Sequence, residues 1–287
     1  MKKILLLGGS GFIGKSLVTK LEKTNSLKLM IHNSDIITNS KIFKADILSK
    51  KSFIDQIQND QIIINLLGQM NENKKDFFSI NIDGGLNLLQ ACVEKKIKRI
   101  ILISSINVYG ENMEKPSKEI DQLNPKTIYA NVKMTAEDLY KDFSKKYGIT
   151  VTILRLASIY GPSKKNGFIT KLINSTKNKK IIPECYNNGN QQRDLLFIDD
   201  AIDCIHHAIN YQHTGFEIFN ISSGKYYSMN ELISKIELLT NSKLNIKYND
   251  EIPDEKCICA DNSKAKKLLN FEPKIDIDSG LKLLINN

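Results

Sequence analysis

A doubly wound parallel α/β sheet with a smaller C-terminal lobe is predicted by two features of the 287-residue chain. Short apolar runs of strand length alternate with longer amphipathic stretches, the pattern of parallel strands covered by helices on both faces. The first apolar run also leads straight into a glycine-rich turn, and a helical pattern follows the turn.

Taken in order, Ile4–Leu7, Leu27–Ile31, Gln61–Leu66, Arg99–Ser104 and Thr150–Leu156 read as strands. Between them Ile13–Lys23, Ser52–Asn59, Asp76–Lys96 and Asn131–Tyr147 read as helices, so the order is βαβαβαβαβ. After Tyr160-Gly161-Pro162 the regularity weakens. Phe168–Lys177 and Ile198–Asn210 remain helical in pattern, and Met229–Leu239 and Asn262–Leu269 read as helices of a smaller lobe. Residues 1–160 are expected to form the sheet domain, and 161–287 mainly the second lobe, with some segments returning to the sheet. In such sheets ligands bind outside the C-terminal strand ends, so the later segments are expected to contact substrate.

Composition narrows the classes. With 41% hydrophobic and 25% charged residues the chain is ordinary for a folded domain. The apolar start Ile4–Leu7 is cut short by glycine, below the roughly seven residues of a secretory core. No run reaches the about eighteen apolar residues of a membrane span, and a cytoplasmic location is expected. Five scattered cysteines (Cys92, Cys185, Cys204, Cys257, Cys259) without a Cys-x-x-Cys pair read as reduced thiols, and neither they nor the four histidines have metal-ligand spacing. The net charge of +9 comes from lysines spread along the chain, with only three arginines, which argues for a solvated surface and against nucleic-acid binding.

The turn Gly8-Gly9-Ser10-Gly11-Phe12-Ile13-Gly14 joins the first strand to the first helix. Backbone N–H groups and a helix N-terminus converge there, which stabilises a diphosphate, and the context is that of a Rossmann dinucleotide site. Gly8, Ser10, Gly11, Phe12, Ile13 and Gly14 are therefore candidate cofactor contacts. At the end of the second strand an acid ordinarily holds the ribose 2′-hydroxyl of NAD. Here His32-Asn33-Ser34 occupies that place and Asp35 comes one step late, which favours NADP, with NAD as the alternative.

Tyr-x-x-x-Lys places a phenol and an ammonium on one helix face, where the cation favours phenolate and lowers the phenol pKa from about 10. With ten tyrosines in a lysine-rich chain the pair alone is uninformative, and it occurs twice. Tyr160/Lys164 is interrupted by Gly161-Pro162, whereas Tyr129/Lys133 opens an amphipathic run. Ser104-Ser105 ends the fourth strand on the ligand edge of the sheet, where a hydroxyl can orient a reacting carbonyl or carbinol.

Together these residues resemble the extended short-chain dehydrogenase/reductase family, the nucleotide-sugar epimerases, dehydratases and ketoreductases. Further marks in the same order are Asp46-Ile47, Asn81, Ser105-Ile106-Asn107-Val108-Tyr109-Gly110, Tyr160-Gly161-Pro162, Arg193-Asp194 and Ala260-Asp261-Asn262-Ser263-Lys264-Ala265. The resemblance implies that Asp46 and Ile47 contact adenine, that Leu66, Leu67 and Gly68 line the cofactor, and that Asn81 supports the site. It implies Ser105 as the substrate-orienting hydroxyl, Tyr129 as acid/base, and Lys133 as ribose ligand and tuner of the tyrosine. Asn107, Ser158 and Arg193 would contact the sugar nucleotide, Arg193 through its diphosphate. A homodimer packed through the helices 76–96 and 131–147 is the family's expectation.

Departures from the family pattern restrict the activity. Dehydratases carry Asp-Glu after the catalytic hydroxyl residue, and this chain has Ile106-Asn107. Ser158 stands where Asn is common, and no arginine follows Arg193. The favoured reading is an NADP(H)-dependent ketoreductase acting on a 4-keto-6-deoxy nucleotide sugar, in surface-polysaccharide or deoxysugar synthesis. A 4-epimerase retaining NAD is the alternative, and a non-catalytic dinucleotide sensor a remote one.

Overall fold

The computed structural model describes residues 1–111, 115–251 and 257–286. Its elements are β1 (Lys3–Leu7), α1 (Phe12–Leu21), β2 (Ser26–Ile31), β3 (Lys41–Lys44), β4 (Gln61–Asn65), α2 (Gly84–Glu94), β5 (Arg99–Ser105), α3 (Ile128–Tyr147), β6 (Thr150–Leu156) and β7 (Ser158–Tyr160). They continue as α4 (Phe168–Lys177), β8 (Glu184–Cys185), β9 (Gln192–Phe197), α5 (Ile198–Asn210), β10 (Phe216–Ile221), β11 (Tyr226–Ser228), α6 (Met229–Thr240), β12 (Lys247–Tyr248), β13 (Cys257–Ile258), α7 (Ser263–Leu269) and α8 (Ile277–Ile285).

Seven parallel strands form the main sheet in the order β10-β6-β5-β4-β1-β2-β3. The chain winds outward from β1 in one direction and returns through β4 in the other, which opens a crevice between the C-terminal ends of β1 and β4. Side chains alternate along each strand. Ile4, Leu6, Leu29 and Ile64 enter one apolar layer with Leu17 and Leu21 of α1 and Ala201 and Ile205 of α5. Leu5, Leu7, Met30 and Ile63 enter the other, against Leu88 and Leu89 of α2 and Tyr140 of α3.

The chain beyond residue 160 builds a second sheet, β11-β9-β13 with β7 on β9, flanked by α4, α6 and α8. It also returns to the first. β10 pairs with β6 from Phe216↔Val151 to Ile221↔Leu156, and α5 packs on α1.

Several expectations are corrected. Residues 52–59 are not an α-helix: Ser52 ends a 3₁₀ turn over Lys50–Ser52, a second covers Ile54–Gln56, and 57–59 lie outside both. Phe53, at φ −132° between them, and Ile57 are pulled into the core, and helical continuity is lost. The helix expected over 76–96 begins at Phe77, passes through a π-turn over Ser79–Asp83 and continues as α2 from Gly84 to Glu94. α3 begins at Ile128, three residues before the expected start, because the Thr127 hydroxyl accepts from the Ala130 N–H at 3.1 Å. Tyr129 thereby falls in the first helical turn. The strands β3 and β7 to β13 and the helix α8 were not expected from the sequence pattern.

Candidate active site

The glycine turn has the shape an anion requires. Gly8 adopts φ +82°, and Gly11 caps α1 with no side chain over the exposed N–H groups. A Cβ on Gly14 would stand 2.2 Å from the Gly8 carbonyl oxygen and 2.7 Å from Gly9 Cα, so α1 approaches the strand closely enough to admit only glycine. No acid occupies the first turn of α1, leaving the positive helix end free for a phosphate. A Cβ on Gly8 would lie 3.1 Å from the Leu66 carbonyl carbon, which places Leu66 and Leu67 against the turn.

Other candidate cofactor residues surround that crevice. Asn65 at the end of β4 accepts from the Leu67 N–H at 2.9 Å and donates to the Tyr140 hydroxyl at 2.9 Å, which shapes the backbone of 65–67. Asp46 accepts from the Leu48 N–H at 2.9 Å, and Ile47 is buried where a Cβ on Gly84 would meet it at 2.9 Å. Ser10, Phe12 and Ile13 are partly exposed on the turn, and His32, Asn33 and Ser34 are exposed beyond β2.

Tyr129, Lys133, Asn81 and Gly68 come together. A Cβ on Gly68 would be 3.0 Å from Lys133 Nζ and 3.2 Å from Asn81 Oδ1. In the π-turn the Asn81 amide donates to the Gln69 carbonyl in the loop after β4 at 3.0 Å and to the Phe77 carbonyl four residues earlier in its own helical run at 2.7 Å. Lys133 Nζ donates to the Ile103 carbonyl at 3.2 Å and lies 5.9 Å from the centre of the Tyr129 ring. The Tyr129 backbone N–H donates to Glu72 at 2.7 Å, tying the loop over the site. Ser105 ends β5, and its hydroxyl accepts from the Asn107 N–H at 3.2 Å as the cap of a 3₁₀ turn over Ile106–Tyr109.

The electrostatics correct one expectation. Burial brings the Lys133 ammonium down to about 8, opposed by the charge of Glu137. Tyr129 is not lowered: packing around the ring pushes its phenol up to about 12. Desolvation of the buried phenol is the cause of that shift.

Behind this face lies a network that sequence reasoning missed. Glu137 accepts from Ser104 Oγ at 2.5 Å and from Arg155 at 3.0 Å (Nε to Oε1) and 2.6 Å (Nη2 to Oε2). Arg155 Nη1 donates to the Tyr109 hydroxyl at 2.7 Å, which donates to Asn220 Oδ1 at 2.7 Å. The available signal was the repeated four-residue spacing Tyr129, Lys133, Glu137.

A cleft of about 280 Å³ opens between β7, α4 and β9, and Ser158, Lys164 and Arg193 are among its lining residues. Asn107 does not line it. Arg193 is partly buried on β9, its Nη1 donating to the Gln192 carbonyl at 2.8 Å. Its neighbour Asp194 has a different task, accepting from Ser223 and Gly224 N–H groups at 2.9 and 3.3 Å and fixing the turn before β11. The Tyr160/Lys164 pair splits, as the glycine and proline require. Tyr160 stacks edge-on against Phe197, while Lys164 donates to the Ile159 carbonyl and lies 5.6 Å from the Phe12 ring centre.

A phosphate-cradling turn at the switch point of a doubly wound sheet, with Tyr and Lys on the adjoining helix, defines a nicotinamide-dinucleotide enzyme. The family model described as NAD dependent epimerase/dehydratase family matches residues 4–222, and the chain belongs to that family, within the extended short-chain dehydrogenases/reductases. It is 29% identical over 302 residues to a putative UDP-glucose 4-epimerase of Methanocaldococcus jannaschii, covering 99% of this chain and 97% of the relative. It is 33% identical over 218 residues to a UDP-glucuronate 4-epimerase of Thermodesulfobacterium geofontis, covering 75% and 67%. The solved structure of MoeE5 with UDP-glucuronic acid and NAD superposes with a TM-score of 0.92 at 26% identity, covering 99% of this chain and 98% of that one. Among the described residues no helix is long and apolar enough to cross a membrane, and no group of three metal-ligating side chains is found.

Proposed function

We propose that the protein is a nucleotide-sugar 4-epimerase that retains NAD, with UDP as the nucleotide of its substrate. The observation that carries this reading is the convergence of Lys133, Asn81 and Gly68 beside Tyr129, next to an uncapped glycine cradle for the dinucleotide. Relatives named as 4-epimerases, spanning nearly the whole chain or most of it, support it. So does the NAD held by MoeE5. The ketoreductase reading favoured from sequence rests on the missing acid at His32-Asn33-Ser34 and on the short C-terminal lobe, and the comparisons support the epimerase better.

Bound NAD would supply the reversible redox exchange with the sugar carbon. The turn Gly8, Ser10, Gly11, Phe12, Ile13 and Gly14 would hold its diphosphate, Asp46 and Ile47 its adenine, and Leu66, Leu67, Gly68 and Asn81 the rest of the cleft wall. His32, Asn33 and Ser34 would stand beside the adenosine ribose. Lys133 would bind the nicotinamide ribose and, as a cation, favour the phenolate of Tyr129. Tyr129 would take the proton of the sugar 4-hydroxyl and return it to the same oxygen once the sugar has turned its opposite face to the cofactor. Ser105 would hold the same oxygen in line, with Asn107 beside it. Arg193, with Ser158, would grip the diphosphate in the cleft, its fork matching phosphate oxygens.

The deciding experiment is release of the cofactor from purified protein followed by assay with UDP-hexoses and UDP-hexuronates. Stoichiometric NAD and interconversion of 4-epimers without added cofactor are expected, with turnover lost in Tyr129→Phe. Consumption of NADPH with a 4-keto nucleotide sugar, and no bound NAD, would establish the reductase instead.

A further inference from the structure

Glu137 and Arg155 lie directly behind the Tyr129/Lys133 face, and neither touches the cleft. Tyr129, Lys133 and Glu137 follow one another at four-residue steps and share one stripe of α3. Lys133, Glu137 and Arg155 are 8%, 3% and 2% exposed. One buried carboxylate is thus paired with Arg155 and stands one helix turn from the Lys133 ammonium, in surroundings where charges interact far more strongly than in water. Such a pair is seldom kept for stability alone, since apolar residues of the same volume commonly serve as well.

The hydrogen bonds reach the two ends of one segment. Ser104, bonded to Glu137, is the residue before Ser105, and Tyr109, bonded to Arg155, closes the 3₁₀ turn that Ser105 caps. Asn220 on β10 holds the far side of Tyr109 and donates its own N–H to Glu119. The carboxylate on α3 therefore clamps the end of β5 to the helix bearing Tyr129 and Lys133.

We propose that Glu137, held by Arg155 and Ser104, is a positioning residue that keeps Lys133 cationic and keeps Ser105 in register with Tyr129 and Lys133. The proposal rests on the assignment of those three side chains to the reaction. Other groups around Lys133 do not replace Glu137. Tyr129 is a protonated phenol, Tyr109 and Arg155 are reached through Glu137, and Gly68, Asn81 and the Ile103 carbonyl are neutral. On α2, burial keeps the Cys92 thiol protonated, and Tyr140 is bonded to Asn65.

The test is a ¹³C NMR titration of ε-labelled lysines, with the Lys133 signal assigned by its loss in Lys133→Arg. The wild type is expected to titrate near 8. In Glu137→Gln, which keeps Arg155 and the shape of the side chain, the Lys133 midpoint is expected to fall by about one pH unit, the size of effect an adjacent opposite charge produces. An unchanged or raised midpoint in the folded variant overturns the proposal. If that variant does not fold, Arg155→Lys keeps a cation but loses the fork. A more weakly paired Glu137 should then raise the Lys133 midpoint, and no change or a fall overturns the proposal. Because the titration needs neither cofactor nor turnover, it stays decisive if every nucleotide sugar proves inert, an outcome that would count against the epimerase reading alone.

Discussion

Replacing Gly14 and Gly11 separately by alanine divides folding from cofactor binding. At Gly14 the new methyl would meet the Gly8 oxygen at 2.2 Å and Gly9 backbone at 2.7 Å, and neither neighbour is a flexible side-chain end. The helix must retreat from the strand, with an overpacking cost of about 1–3 kcal/mol or more. For a chain of this size that lowers Tm by roughly 2–4 °C per kcal/mol. At Gly11 the nearest atom is the Gly8 oxygen at 3.4 Å and φ is −72°, so alanine is accommodated and stability should change by no more than about 0.5 kcal/mol. Its methyl nevertheless faces the place where diphosphate must meet backbone N–H groups. Thermal unfolding of the cofactor-free proteins, combined with NADH fluorescence titration, separates the two effects. Gly14→Ala should lose both stability and binding, and Gly11→Ala binding alone, by about tenfold or more for one lost charged hydrogen bond. Undiminished NADH affinity in Gly11→Ala would refute the assignment of the turn.

Other outcomes follow from the same geometry. Lys133→Met removes a cation that burial penalises, so it should unfold at the same or a higher temperature at pH 7 while turnover drops about 10²–10⁴-fold, checked by calorimetry and steady-state kinetics. The folded Lys133 pKa is depressed to about 8, so the unfolded chain binds the extra proton between that value and the free-lysine value. Stability should therefore rise as pH climbs from 8 toward 10.5 while activity falls above 8, and Lys133→Met should lose the stability slope. His32→Asp should depress NADPH affinity at least tenfold by repelling a 2′-phosphate and leave NADH binding equal or tighter, read by fluorescence titration. Arg193→Met should raise KM for the nucleotide sugar about tenfold to a hundredfold with little change in NAD content, since a charge-assisted contact is worth about 1.5–3 kcal/mol.

The sheet was legible because parallel strands buried on both faces must be continuous apolar runs, as in Ile62-Ile63-Ile64 and Ile100-Ile101-Leu102-Ile103. The short strands escaped notice because their environment is mixed: Lys41–Lys44 is largely exposed at an edge, and Glu184–Cys185 spans two residues. Tyr129 and Lys133 were readable because their pair opens an amphipathic run while Gly161-Pro162 interrupts Tyr160/Lys164, but the direction of the Tyr129 shift was not, since it depends on burial that only the folded chain defines. Glu137 and Arg155 were silent for a related reason. Their partnership joins a helix to a strand, and no local pattern marks which carboxylate an arginine will meet.

The exchange of β10 into the main sheet governs how the molecule must assemble. A nascent chain that has emerged only to residue 160 carries β6 with one side open, its N–H and C=O groups unpaired along Val151–Leu156. The 61 residues from 161 to 221 must leave the ribosome before Phe216–Ile221 can cover that edge. The first 160 residues therefore cannot complete their own sheet, and its last edge is closed by chain that belongs, in sequence, to the second sheet's segment.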